Sequence, residues 1–140
     1  PRSLIGLSDA GAHCGAVSDG SFTSSLLTHW GRDRTRGERL PIEMLVHHVT
    51  QRTANHVGWF DRGVIAEGLL ADLNVIDMDT LAVHPPTIVK DLPAGGRRLM
   101  QTATGYDYTV KNGVVTFDHG VHTGDLPGGL VRGAQSAPKA

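Results

Sequence analysis

The sequence predicts an α/β chain whose first half is helical and whose second half is built from short antiparallel strands. Three observations carry this. The apolar run Leu4-Ile-Gly-Leu7 stops at Ser8-Asp9 and is followed by two segments with helical spacing. The period changes at Asp61, where Gly63 and Gly68 punctuate a strand-like piece. Asn112-Gly113 then separates two alternating runs, the strongest short-range hairpin signal in the chain. Residues 1–60 therefore read strand–loop–helix–helix, like the last unit of an α/β barrel. Residues 61–133 read as antiparallel strands, and residues 134–140 as a disordered tail.

Leu4, Ile5 and Leu7 suit a buried strand, with Asp9 at its C-terminal end. Barrel and open α/β architectures place reactive side chains at that position. On spacing alone Asp9 is either a residue for chemistry or a turn cap. The small-residue loop Cys14–Ser21 follows, and Ser21 is placed to cap a helix over Phe22–Trp30 that Gly31 would stop. Phe22, Leu26, Leu27 and Trp30 share its apolar face. Residues Arg32–Arg39 form a charged connection. Pro41 opens the next helix, with Ile42, Leu45, Val46, Val49 and Thr53 inward. A short second helix is expected before Gly58, with Thr53 placed to cap it. Strands are expected over Ala71–Asp77, Tyr106–Lys111, Val114–Phe117 and Val121–Thr123, with a loop through Pro93–Gly96.

The composition narrows the function classes. The chain has 140 residues, 39% of them hydrophobic and 19% charged, which is enough for a globular core. A net charge of −1 leaves no electrostatic footprint for nucleic acid or an anionic membrane. No run reaches the ~18 apolar residues that a membrane helix needs. The single cysteine, Cys14, excludes an internal disulfide and a cysteine-rich zinc site and suits a reducing cytoplasm. The chain opens on Pro1 and enters the apolar run at once. The expectation is that an N-terminal part lies upstream.

An ordered set of motifs points further: Leu40-Pro-Ile-Glu43, Thr50-Gln-Arg-Thr-Ala54, Val57-Gly58, Asp61-Arg-Gly63, Glu67-Gly68, Ala71-Asp-Leu73, Val110-Lys-Asn-Gly113 and Thr123-Gly-Asp-Leu-Pro-Gly128, then Leu130-Val-Arg132. Together they resemble the C-terminal segment of the amidohydrolase superfamily, most closely the branch of N-acyl-D-amino-acid deacylases (D-aminoacylases). The resemblance implies a (β/α)8 TIM barrel beside a small β-sandwich. This chain would hold strand 8, the helices after it and the C-terminal sandwich strands, with the N-terminal remainder of the barrel as its partner.

The resemblance also implies chemistry. In the family a divalent metal, usually zinc, activates a water that attacks an amide carbonyl of a small N-acylated substrate. Ser8-Asp9 matches the family's aspartate after the eighth strand. Asp9 would take the water's proton, pass it to the leaving nitrogen, and also touch the metal. The other ligands would lie upstream, so this chain alone would be inactive and bind no metal. Ser8 and His13 are candidate substrate contacts. His13 stands where many relatives have no histidine, which leaves the substrate open between N-acyl-D-amino acids and the cyclic amides of hydantoinase and dihydroorotase relatives. A non-catalytic β-module is the competing reading. His47 and His48 are neighbours on a helix and point ~100° apart, so they cannot share one metal. They, His29, His56, His119 and His122 read as packed or surface histidines, and Cys14 as a small buried residue. Exposed strand edges point to association, hence a homo-oligomer.

Overall fold

The computed structural model describes residues 3–6 and 19–138. The first helical segment runs without a break through a 3-10 turn, Asp19–Ser21, helix α1, Phe22–Ser25, and a π segment, Leu26–Asp33. Ser21 makes no capping hydrogen bond. Its hydroxyl instead donates to Gln101 Oε1 at 2.6 Å. The i→i+5 bonding of a π segment carries the buried face from Leu26 on to Gly31, so Trp30 falls outside it. Trp30 is 41% exposed, with the Arg34 guanidinium 4.6 Å from its ring centre. Gly31 does not stop the helix. It lets the next helix approach, since a Cβ there would lie 2.3 Å from Ile42 Cδ1.

Helix α2, Ile42–Val49, begins after Pro41 as expected and buries Leu45 to 1% exposure, while Val46 faces outward. Thr50 breaks the helix (φ −121°, ψ −98°), and α3 follows over Gln51–His56. Thr53 does not cap α3. Its hydroxyl donates back to Thr50 O at 2.9 Å, across the break.

Eight strands follow: β1 Leu73–Ile76, β2 Ala82–Val83, β3 Thr87–Leu92, β4 Gly96–Met100, β5 Ala103–Thr104, β6 Tyr106–Lys111, β7 Val114–Asp118 and β8 Val121–His122. They form a four-stranded sheet in the order β1-β6-β7-β8 and two ribbons, β2–β5 and β3–β4. The β6–β7 hairpin turns at Asn112-Gly113, whose φ values of 51° and 78° are those of a two-residue type I′ connection. The expected loop at Pro93-Ala-Gly-Gly96 is the connection of the β3–β4 ribbon, whose two strands the sequence did not foresee. Gln135 returns to the body of the fold. Its N–H donates to Gly58 O, and its carbonyl accepts the Phe60 N–H.

Among the described residues the expected TIM-barrel fragment is not present. Every ladder between the described strands is antiparallel. The one parallel contact among the described residues is an isolated bridge between Trp59 and Gln135. Residues 3–6 are in no strand, and Leu4 is exposed. A barrel strand exists only through hydrogen bonds to parallel neighbours on both sides, and the described residues supply none. The observed fold is a small domain of mostly antiparallel sheet with short helices. Its core is Leu26, Leu27, Leu45 and Leu81, packed around by Ile5, Leu40, Ile42, Val49, Ile76, Met78 and Tyr106. Helical and strand segments thus share one apolar centre.

Candidate functional site

Asp9, Ser8 and His13, with Cys14, lie outside the described residues. The described chain on either side of them is anchored. Ile5 packs against the core cluster. On the far side, Ser21 bonds to Gln101, whose Nε2 donates to His84 O at 2.9 Å, and the Ser24 hydroxyl lies 2.6 Å from the Tyr106 hydroxyl. Arg32 reaches Asp33 and the Met78 carbonyl. The Ser21–Gln101 and Ser24–Tyr106 contacts span 80 and 82 residues of sequence and tie the first helical segment to the strands.

The best-defined polar cluster among the described residues lies beside a cleft of about 430 Å³ walled by Val49, Thr53, Ala54, Val57 and Trp59. Arg62 grips Asp61 with Nε and Nη2, at 2.8 and 3.1 Å, and its guanidinium carbon lies 5.1 Å from the Trp59 ring centre. Its Nη1 is 3.7 Å from Asp72. Lys111 Nζ donates to both Asp72 oxygens, at 2.8 and 2.9 Å, and the Asn112 N–H donates to the same carboxylate at 3.0 Å. The backbone closes the arrangement: Leu70 N–H to Asp61 O and Gly113 N–H to Ala71 O. Gly63, at φ +88°, lets the turn touch the α2–α3 break, where a Cβ would lie 2.8 Å from Gln51 Cα. Motifs that stand far apart in the sequence, Thr50–Ala54, Asp61–Gly63, Ala71–Leu73 and Val110–Gly113, therefore meet in one clasp.

The electrostatics of this clasp are those of a fastening. The Arg62 guanidinium holds the Asp61 carboxyl below its ordinary range, and Asp61 in turn raises Arg62. Burial pushes Asp72 up, but Lys111, the Asn112 N–H and Arg62 together outweigh it and the net displacement is downward. Both carboxylates stay ionised and paired at neutral pH, so neither is poised to exchange a proton. Asp72→Asn is expected to cost about 1–2 kcal/mol, because Lys111 loses its charged acceptor in a half-buried site. A carboxylate depressed in the folded state stabilises above its unfolded value and loses that contribution as pH falls through the folded one. Urea titrations should therefore show the gap between wild type and Asp72→Asn at pH 7 shrinking as the pH drops below about 4.

His29, His47, His56, His119 and His122 are exposed and His48 is half-buried. His47 and His48 stand 6.3 Å apart with rings at 86°. Burial, then the Arg52 and His47 charges, lowers His48. His29 sits edge-on to Trp30. Among the described residues no group of three or more His, Cys, Asp or Glu side chains can hold a metal ion. No described helix is long and apolar enough to cross a membrane.

The family model of the amidohydrolase family matches residues 1–117, a span that includes Asp9 and every motif up to Asn112-Gly113. The chain belongs to the amidohydrolase family. No curated protein and no solved structure matches it. Amidohydrolases hydrolyse C–N bonds of small molecules and generally depend on a metal ion. The described residues of this amidohydrolase do not fit a metal centre. The Thr123–Gly128 pattern lies beyond the matched span, and the structure gives it a local task. The Pro127 carbonyl accepts from Asn112 Nδ2 at 3.0 Å, and the Thr123 hydroxyl donates to Val115 O at 2.9 Å. Sequence reasoning quoted Asp61, Arg62, Asp72 and Lys111 as motif members without foreseeing that they meet. The only signal was their position, each within two residues of a turn glycine or a strand start.

Proposed function

We propose that this chain is the C-terminal portion of an amidohydrolase that cleaves the amide bond of an N-acyl-D-amino acid, with Asp9 as the group that moves the proton. The observation that carries the reading is the family match across residues 1–117, which spans the Ser8-Asp9 pair and the ordered motifs after it. An ionised carboxylate suits the task. It accepts the proton as water adds to the carbonyl carbon, then delivers it to the nitrogen as the C–N bond breaks, giving a carboxylic acid and a free amino acid. Ser8 and His13 flank Asp9 in sequence and are the proposed substrate contacts. Zinc is the proposed metal of the whole enzyme, held by residues other than those described.

The experiment is a comparison of N-acetyl-D-methionine with its L-enantiomer, using the whole enzyme that contains this chain. The expected result is free methionine from the D-substrate at least ~100-fold faster, a ratio that calls for shaped polar contacts around the Cα substituents. Preferential opening of a hydantoin or of dihydroorotate would contradict the acyl-amino-acid reading and leave the family unchanged.

A further inference from the structure

The outer edge of the four-stranded sheet is closed by β8, only Val121–His122, with Val121 70% exposed. Little apolar burial holds so short a strand. The turn that delivers it, Asp118-His119-Gly120, has an unusual residue at its first left-handed position. His119 has φ 45° and Gly120 φ 82°, a conformation that favours asparagine, aspartate or glycine. His119 is held there by its surroundings. Its N–H donates to Asp107 O at 2.7 Å. Its Nδ1 lies 2.6 Å from Asp118 Oδ1, and its Nε2 is 3.7 Å from Asp107 Oδ1. The ring stands edge-on to Tyr108 at 5.5 Å. The ionisable groups that face it are thus Asp107 and Tyr108 from β6 and Asp118 from β7. On β8, His122 is engaged elsewhere, against the Phe117 ring and as acceptor of the Gly124 N–H.

We infer that His119 is a protonation-dependent clasp on the sheet edge: its imidazolium ties the β7–β8 turn to two carboxylates, and its neutral form lets β8 leave and exposes the edge of β7. The neutral ring can still donate from Nδ1 to Asp118, but only the imidazolium carries the charge that attracts Asp107, 3.7 Å from Nε2. When β8 leaves, β7 presents an unpaired strand beside the exposed side chains of Val114, Val115 and Phe117, ready to pair with another strand.

The sign follows from the surroundings. The Asp118 hydrogen bond first, then the charges of Asp118 and Asp107, hold the His119 ring protonated above its ordinary range. Such a group contributes fully below its unfolded value, near 6.5, and its contribution is lost as pH rises through the folded value. The clasp is closed in mild acid and loosens in mild base. Nothing in it depends on the catalytic reading.

The test is amide hydrogen exchange by NMR on the whole enzyme that contains this chain, corrected for base-catalysed intrinsic exchange. The reporters are the His119 amide and the Thr123 amide, which donates to Thr116 O at 2.9 Å beside β8. Their protection is expected to fall about threefold or more between about pH 5.5 and pH 8.5, in step with the His119 ring titration. His119→Asn fits the left-handed turn and cannot titrate, so its protection should be flat with pH. Asp118→Asn, which leaves the turn residue in place, should weaken the pH dependence as well. Protection that stays constant while the His119 ring titrates, or an unchanged pH dependence in His119→Asn, overturns the proposal.

Discussion

Gly105→Ala is expected to destabilise the protein by ~3–5 kcal/mol, the largest effect of a substitution at any described glycine. Gly105 lies between β5 and β6 at φ +86°, and a Cβ there would stand 2.5 Å from Leu81 Cα and 2.6 Å from Leu81 N. Those are backbone atoms, so no side chain can rotate away. The backbone in turn cannot shift freely. The Leu81 N–H donates to Asp77 O, and the Asp77 N–H donates to Gly105 O, each at 2.9 Å. Moving Leu81 would also draw its fully buried side chain out of the core that Leu26, Leu27 and Leu45 complete. Domains of this size are stable by only about 5–15 kcal/mol, so a large part of the folding free energy would be lost. Gly113→Ala is the control. It too has positive φ, at 78°, but nothing lies within 4 Å of the added Cβ, and about 1 kcal/mol is expected. Urea midpoints of the two variants separate close approach from backbone conformation alone. Equal midpoints would contradict the packing of Gly105 on Leu81.

Asp9→Asn is expected to lower kcat of the whole enzyme about a thousandfold while KM changes little. Asparagine keeps the shape and most hydrogen-bond acceptance of aspartate but cannot take a proton from water. If Asp9 acts on the reacting atoms, the loss falls on the chemical step and the substrate still binds. A rise in KM at constant kcat would make Asp9 a binding residue instead.

Local signals in the sequence were sufficient where local physics decides. The α2 helix follows from Pro41 and the Ile42–Leu45–Val49 spacing, and the β6–β7 hairpin from Asn112-Gly113 between alternating runs. Helix spacing misled at Trp30, because the pattern presumes 3.6 residues per turn and the chain widens into a π segment there. The β3–β4 ribbon escaped notice because its apolar residues do not alternate towards a core. Ile88 is 63% exposed, and the Arg98–Asp91 ion pair does part of the pairing. The barrel assignment failed for a non-local reason: an apolar run such as Leu4–Leu7 is a strand only if partners are present. The site was legible unevenly. Asp9 stands out as a polar residue ending an apolar run, its role is proposed from the motifs after it, and it lies outside the described residues. The Asp61–Arg62–Asp72–Lys111 clasp was invisible, since Lys111 meets Asp72 across 39 residues that no periodicity links.

The measurement that bears most directly on Asp9 as proton carrier is the pH dependence of kcat/KM for N-acetyl-D-methionine, wild type beside Asp9→Asn. An essential base gives a rate that falls on the acidic side as it becomes protonated. The account predicts that limb in wild type and a residual rate without it in Asp9→Asn. An Asp9→Asn enzyme with the wild-type rate and the same acidic limb would contradict it.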